Sequence, residues 1–189
     1  MNKNIFKLIL FGLIFEISYF NILNLKNIRN NVPSFLFTYS ILAIGYLILI
    51  YQKQFVKKKH TFSYIKIMIF FAIIFRITML FCAPSLSDDI YRYIWDGKMQ
   101  LNGINPYQYA PNAPQVSHLV DDQHRGINHK SIPTIYPPIS EFIFFISYRI
   151  SGSILFFKIV FVIFDLLIMY IIYLILKLNF VILIKQFWF

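Results

Sequence analysis

Residues 35–51 read FLFTYSILAIGYLILIY, without one charged side chain. A run of this kind satisfies its backbone only as a helix, and it suits hydrocarbon on every side. Phe35 to Tyr51 is therefore expected to cross a membrane, and the neighbouring stretches read the same way. Ile5 to Leu23 is a first span, weakened by Lys7 and Glu16. Ile65 to Cys82 is a third, with Lys66 and Arg76 near enough to its ends to snorkel. Ile154 to Leu176 is a later span of 23 residues, enough to cross about 30 Å of hydrocarbon at about 1.5 Å per residue. Between them, Ile139 to Ile150 is apolar but would rise only about 18 Å. Pro137 and Pro138 obstruct its extension upstream, so it reads as a short tilted span or a re-entrant hairpin. Ser151-Gly152-Ser153 breaks the chain after it.

Composition agrees. Hydrophobic residues are 58% of the 189 and charged residues 14%, against about 45–50% and 25% in soluble domains. The expected class is an all-α integral membrane protein with several spans. Three helices occupy 1–82, a polar loop 83–138, and further short, re-entrant or spanning helices 139–189. The formal charge of +10 does not point to nucleic acid, because the basic residues cluster at span edges, where they set topology. Cys82 is the single cysteine, which excludes an internal disulfide. Glu16 interrupts the first apolar stretch, and no small-residue cleavage site follows, so no signal peptide is read. The apolar stretch Leu178 to Phe189 stops before it could span, and an N-terminal fragment, or a truncated reading frame, of a longer membrane protein is expected.

Loop charge sets the orientation. Lys53, Lys57, Lys58 and Lys59 lie between Tyr51 and Ser63, whereas Asn24 to Ser34 carries only Lys26 and Arg29. The positive-inside bias puts the tetra-lysine connection in the cytoplasm. The N-terminus is then cytoplasmic and the Ala83–Pro138 loop extracytoplasmic.

That loop concentrates the polar chemistry. It holds Asp88, Asp89, Asp96, Asp121 and Asp122, five of the eight carboxylates. Ser87 reads as an N-cap with Asp88 and Asp89 in the first helical turn, where carboxylates suit the helix dipole. Ile90, Ile94, Gly97 and Leu101 share one face, and Asn102-Gly103 is a fitting stop. An amphipathic helix at the membrane surface is expected over Asp88 to Asn102, with Tyr91, Tyr93 and Trp95 suited to the interface. Asp88, Arg92 and Asp96 are spaced i, i+4, i+8, which lets Arg92 pair with both acids. Asp89 points about 100° away from that row and is the acid more free to meet a substrate. Two stiff, proline-pinned, aromatic segments follow, Gly103 to Pro111 and Ile132 to Pro138.

The segments Ser87-Asp88-Asp89-Ile90-Tyr91-Arg92-Tyr93-Ile94-Trp95-Asp96-Gly97, Gly103-Ile104-Asn105-Pro106-Tyr107, Asn128-His129 and Pro133-Thr134-Ile135-Tyr136-Pro137-Pro138 together resemble the first large extracytoplasmic loop of GT-C-type glycosyltransferases. The group they are most similar to is the bacterial mannosyltransferase-like membrane proteins that use a polyprenyl-phosphate sugar. The resemblance covers Pro84 to Pro138; the flanking spans match by hydrophobicity alone. It implies a multi-pass protein of the bacterial cytoplasmic membrane that moves a sugar, mannose among the candidates, from a polyprenyl-phosphate donor to a glycan, lipid or protein acceptor. Asp88 and Asp89 map to the family's acidic pair, and one of them is expected to be the general base, Asp89 ahead on geometry. The leaving phosphate needs positive charge, for which Arg92, Arg125, His129 and Lys130 are candidates; Arg92 and His129 lie within matched motifs. Tyr107, Tyr109 and Tyr136 could stack on a sugar ring.

Paired carboxylates also suit Mg²⁺ or Mn²⁺, which makes Asp88 and Asp89 the candidate ligands of a divalent cation. His118, Asp121, Asp122, His124 and His129 invite a second metal reading but form no compact signature, and they read as solvated loop residues. The rival class is a transporter or non-catalytic membrane subunit, with Glu16, Lys158 and Asp165 as pathway residues. Charge placement argues against it, because the acids gather in one outer loop and not at mid-membrane.

Overall fold

The computed structural model describes residues 3–51 and 61–186, and all regular structure among them is helical. The four lysines of the positive-inside argument lie outside the described residues. The helices are α1 (Lys3–Asn24), α2 (Val32–Tyr51), α3 (Thr61–Leu80), α4 (Asp89–Leu101), α5 (Pro138–Ile150) and α6 (Ile154–Gln186), with two 3₁₀ helices at Pro114–Leu119 and Gln123–Gly126. Among the described residues four stretches are long and apolar enough to cross a membrane: Lys3–Asn24, Val32–Tyr51, Ser63–Leu80 and Ile154–Leu178. The chain is thus an all-helical membrane protein. It divides into two compact units, Met1–Asp88 and Asp89–Phe189.

In the first unit α1 packs on both α3 and α2. Gly12 makes the closest approach possible: a Cβ there would run into the ring of Phe71 on α3. Ile22, Ile28, Leu42 and Cys82 form a small core near one end, and outward-facing rings such as Phe37 and Tyr51 remain exposed, as lipid-facing side chains must. The α1–α2 connection is tied to the segment after α3. The amide of Ile28 donates to Ser85 Oγ at 3.1 Å, and Arg29 pairs with Asp88 at 3.1 Å. Both connections therefore emerge at the same end, as a three-span hairpin arrangement requires.

In the second unit α4 packs along α5, and both touch α6. A Cβ on Gly97 would collide with the Phe144 carbonyl and Tyr148, so glycine lets the two backbones meet. α4 starts one residue later than expected, which puts Asp88 and not Ser87 directly before it. Its end is as read: Gly103 takes φ +72°, its amide bonds to Gln100 O, and the Ile104 amide reaches back to Met99 O. These are the two bonds of a Schellman stop. α5 begins at Pro138, where a missing N–H costs nothing. It is a single helix and not a hairpin, and it is too short to count among the four spans. Ser153 Oγ accepts the Phe156 amide at 3.2 Å and caps α6.

Two expectations are corrected. Trp95 does not sit at an interface; it is 2% exposed, in a core with Met99, Val116, Leu119 and Ile127. α4 is consequently buried on two faces, the other being Ile90 and Ile94 against Phe144 and Phe157. The residues after Leu178 do not form a separate stretch either. α6 runs unbroken to Gln186, because Lys177 alone, with no Gly or Pro beside it, offers nothing to stop a helix. Phe187 to Phe189 lie outside the described residues.

Candidate active site

The acidic pair splits at the unit boundary. Asp88 closes the first unit, partly exposed and engaged with Arg29. Asp89 opens the second as the first residue of α4, where a carboxylate complements the unpaired amides of the helix start. The expected double role of Arg92 is corrected in the same way. Arg92 Nε binds Asp96 Oδ1 and Oδ2 at 2.8 and 3.1 Å, while Asp88 takes Arg29 instead. The reason is burial. Asp96 is wholly enclosed and demands a partner, whereas Asp88 keeps access to water.

One turn along α4 from Asp89 stands Tyr93. Its ring stacks on Phe144 at 4.5 Å and meets Tyr136 edge-on at 5.0 Å. The phenols of Tyr93 and Tyr136 are close enough to influence one another electrostatically. Burial pushes both phenols up from their ordinary value, and the negative charge of Asp89 pushes them further. Asp89 thus lies within electrostatic reach of both rings. Tyr107 joins them from the other stiff segment: its hydroxyl donates to the Tyr136 carbonyl, and the Thr134 amide donates to Pro106 O at 3.0 Å. The two aromatic segments read from the sequence are thereby brought together into one lip of Tyr107, Tyr136 and exposed Ile135, with Asp89 near its Tyr136 side.

Beneath the lip is a polar cluster that sequence analysis does not single out. Glu141 on α5 is 3% exposed. Its Oε1 accepts from Thr134 Oγ1 and its Oε2 from Gln100 Nε2, both at 2.8 Å. It also hydrogen-bonds Asp96. Arg92 Nη1 donates to Ile132 O at 3.1 Å, and Nη2 is buried without a hydrogen-bond partner. Burial raises both acids; the neighbouring Asp96 adds to the effect on Glu141, which is pushed up to about 7. The available signal was a lone carboxylate in an apolar helix, the same signal that drew attention to Glu16.

The remaining candidates lie apart from this cluster in role. His129 is exposed on a turn at φ +46°, with its carbonyl accepting from Ile132 N. Arg125 is exposed and pairs with Asp122 at 3.5 Å, and Lys130 reaches the Arg125 carbonyl. Lys98 holds Asp121 at 2.7 Å. Partial burial works the other way, but hydrogen bonds from Lys98 and the His124 amide hold the Asp121 carboxyl below its usual range. His124 Nε2 contacts Pro111 O at 3.0 Å, and its ring lies 4.8 Å from that of Trp95. These side chains brace the loop against α4. Among the described residues no three His, Cys, Asp or Glu side chains converge as a metal set.

Set beside known proteins, residues 19–181 match the family model described as alpha-(1->6)-mannopyranosyltransferase, N-terminal domain. No curated protein and no solved structure matches the chain.

Proposed function

The chain belongs to the alpha-(1->6)-mannopyranosyltransferase N-terminal domain family, a GT-C-type family of membrane glycosyltransferases, and from that premise we propose that it moves mannose from a polyprenyl-phosphate donor to an acceptor hydroxyl on the extracytoplasmic face. The observation that carries the reading is the placement of Asp89 at the start of α4, in reach of a tyrosine lip held by two stiff segments. The acceptor is a glycan, lipid or protein alcohol.

In this reading Asp89 takes the proton of the acceptor hydroxyl as its oxygen attacks the anomeric carbon. A carbon–oxygen bond forms there, and the bond from that carbon to the phosphate breaks. The electron pair leaves with the polyprenyl phosphate. A single displacement of this kind inverts the anomeric centre, so an alpha product needs a beta-linked donor. Tyr107 and Tyr136 offer ring faces to the sugar. His129 and Lys130, at the loop surface, are candidates to meet the phosphate charge. Arg92 is enclosed with Asp96, and its part is to hold the Ile132 carbonyl. For Asp88 to ligate Mg²⁺ or Mn²⁺, the ion would have to displace Arg29, and the displacement above needs no ion. The cytoplasmic membrane of a bacterium fits the chemistry, because a transferase facing outward draws its sugar from a lipid and not from a nucleotide.

Donor choice tests the proposal. Membranes carrying the chain are expected to transfer labelled mannose from beta-linked polyprenyl phosphate and not from a nucleotide sugar. Transfer from the nucleotide sugar, with none from the lipid, would overturn it.

A further inference from the structure

We propose that Asp96 and Glu141 share one proton across the α4–α5 contact, and that this acid pair positions the Tyr107–Tyr136 lip; the inference rests on the transfer site read above. Two carboxyls that are 0% and 3% exposed face Arg92, the one cation seen to act on both among the described residues. With one positive charge available, burying two negative charges is costly, and one acid keeps its proton. Arg92 contacts both oxygens of Asp96, so the charge rests there and the proton stays on Glu141, which donates it to Asp96.

The consequences run to the lip. Glu141 binds the Thr134 hydroxyl, and the Thr134 amide binds Pro106, the residue before Tyr107. Arg92 holds Ile132, two residues before Thr134. Gln100 closes the ring from α4, binding both the carboxyl and the carbonyl of Glu141. The segment carrying Tyr136 is therefore held by the acid pair from two sides. The titratable and charged groups facing Glu141 are Asp96 and Arg92 from α4 and Tyr107 from the loop, whose phenol feels both acids. Ionisation of Glu141 would set two buried carboxylates against one guanidinium, and the segment would loosen. With a value of about 7 this falls near neutral pH. Glu141 is a positioning residue, since it acts through Thr134.

Two readouts on the full chain in membranes test the pair without using sugar transfer, so a failure of the transfer reading remains separate. The first is infrared spectroscopy. The carbonyl band of a protonated carboxylic acid is expected at pH 6, fading as pH passes about 7 and missing in Glu141→Gln. No such difference would overturn the shared proton. The second is a spin label at Ile135→Cys on a Cys82→Ala background. Label motion is expected to rise through the same pH range in the otherwise native chain. Glu141→Gln, whose amide can still accept from Thr134 and donate to Asp96, is expected to keep the label ordered at every pH. Label motion that ignores both pH and this variant would overturn the positioning role.

Discussion

Polar side chains reach different distances in the two units. In α1, α2 and α3 several close on their own helix: Ser18 on Ile14 O, Thr38 on Ser34 O, Ser40 on Leu36 O and Arg76 on Ala72 O. Each of these four bonds spans four residues, a short way to satisfy a donor where lipid offers no partner. Thr78 on α3 is an exception, donating across to Glu16 on α1. In the second unit they reach far along the chain. Arg92 binds Ile132, Gln100 binds Glu141, Lys98 binds Asp121 and Tyr107 binds Tyr136. Hydrogen bonds of the first kind let a helix sit in hydrocarbon. Those of the second kind give a loop one shape, which is what a site for chemistry needs.

Removing the buried Arg92 cation of the second unit should show the contrast at its largest. Arg92→Met leaves buried Asp96 without its cation and is expected to cost about 3–5 kcal/mol, read as a lowered melting midpoint in detergent. An unchanged midpoint would mean the ion pair does not hold the unit. Thr134→Val should cost less, about 1–3 kcal/mol, because it strands an acceptor of buried Glu141; the same melting series reads it. Ser40→Ala in α2 removes a local, exposed bond and should fall within about 0.5 kcal/mol of the native chain. If the α2 variant proved as harmful as the Thr134 variant, the division between local and long-range bonding would lose its meaning.

Acidity sharpens the comparison. Glu141 titrates at about 7 in the folded chain against an ordinary 4.5. Between those values the unfolded chain has released a proton that the folded chain retains. Stability is therefore expected to fall as pH rises from about 4.5 to about 7 and to level off above. Melting midpoints across that range should slope downward, and the slope should be reduced in Glu141→Gln. A rise over the same interval would contradict a protonated, buried Glu141.

Much of this was legible in the residues. Apolar runs located the four spans, and Asn102-Gly103 marked the end of α4, because period and turn chemistry are local properties. Partner choice was not local. Spacing allowed Arg92 to serve Asp88 and Asp96 alike, and burial decided for Asp96. Trp95 looked interfacial until the 3₁₀ segment bearing Val116 and Leu119 covered it. Glu141 passed as part of an apolar helix, since its partners Thr134 and Gln100 meet it only through the fold. The continuity of α6 past Leu178 was missed because a reading by span length stops where hydrocarbon ends, and a helix does not.

The most direct trial of the account is the Asp89→Asn variant, assayed for mannose transfer from beta-linked polyprenyl phosphate in membranes with matched protein levels. Loss of a general base should lower turnover by about 10²- to 10⁴-fold. Native turnover in that variant would contradict the assignment of Asp89 as the base.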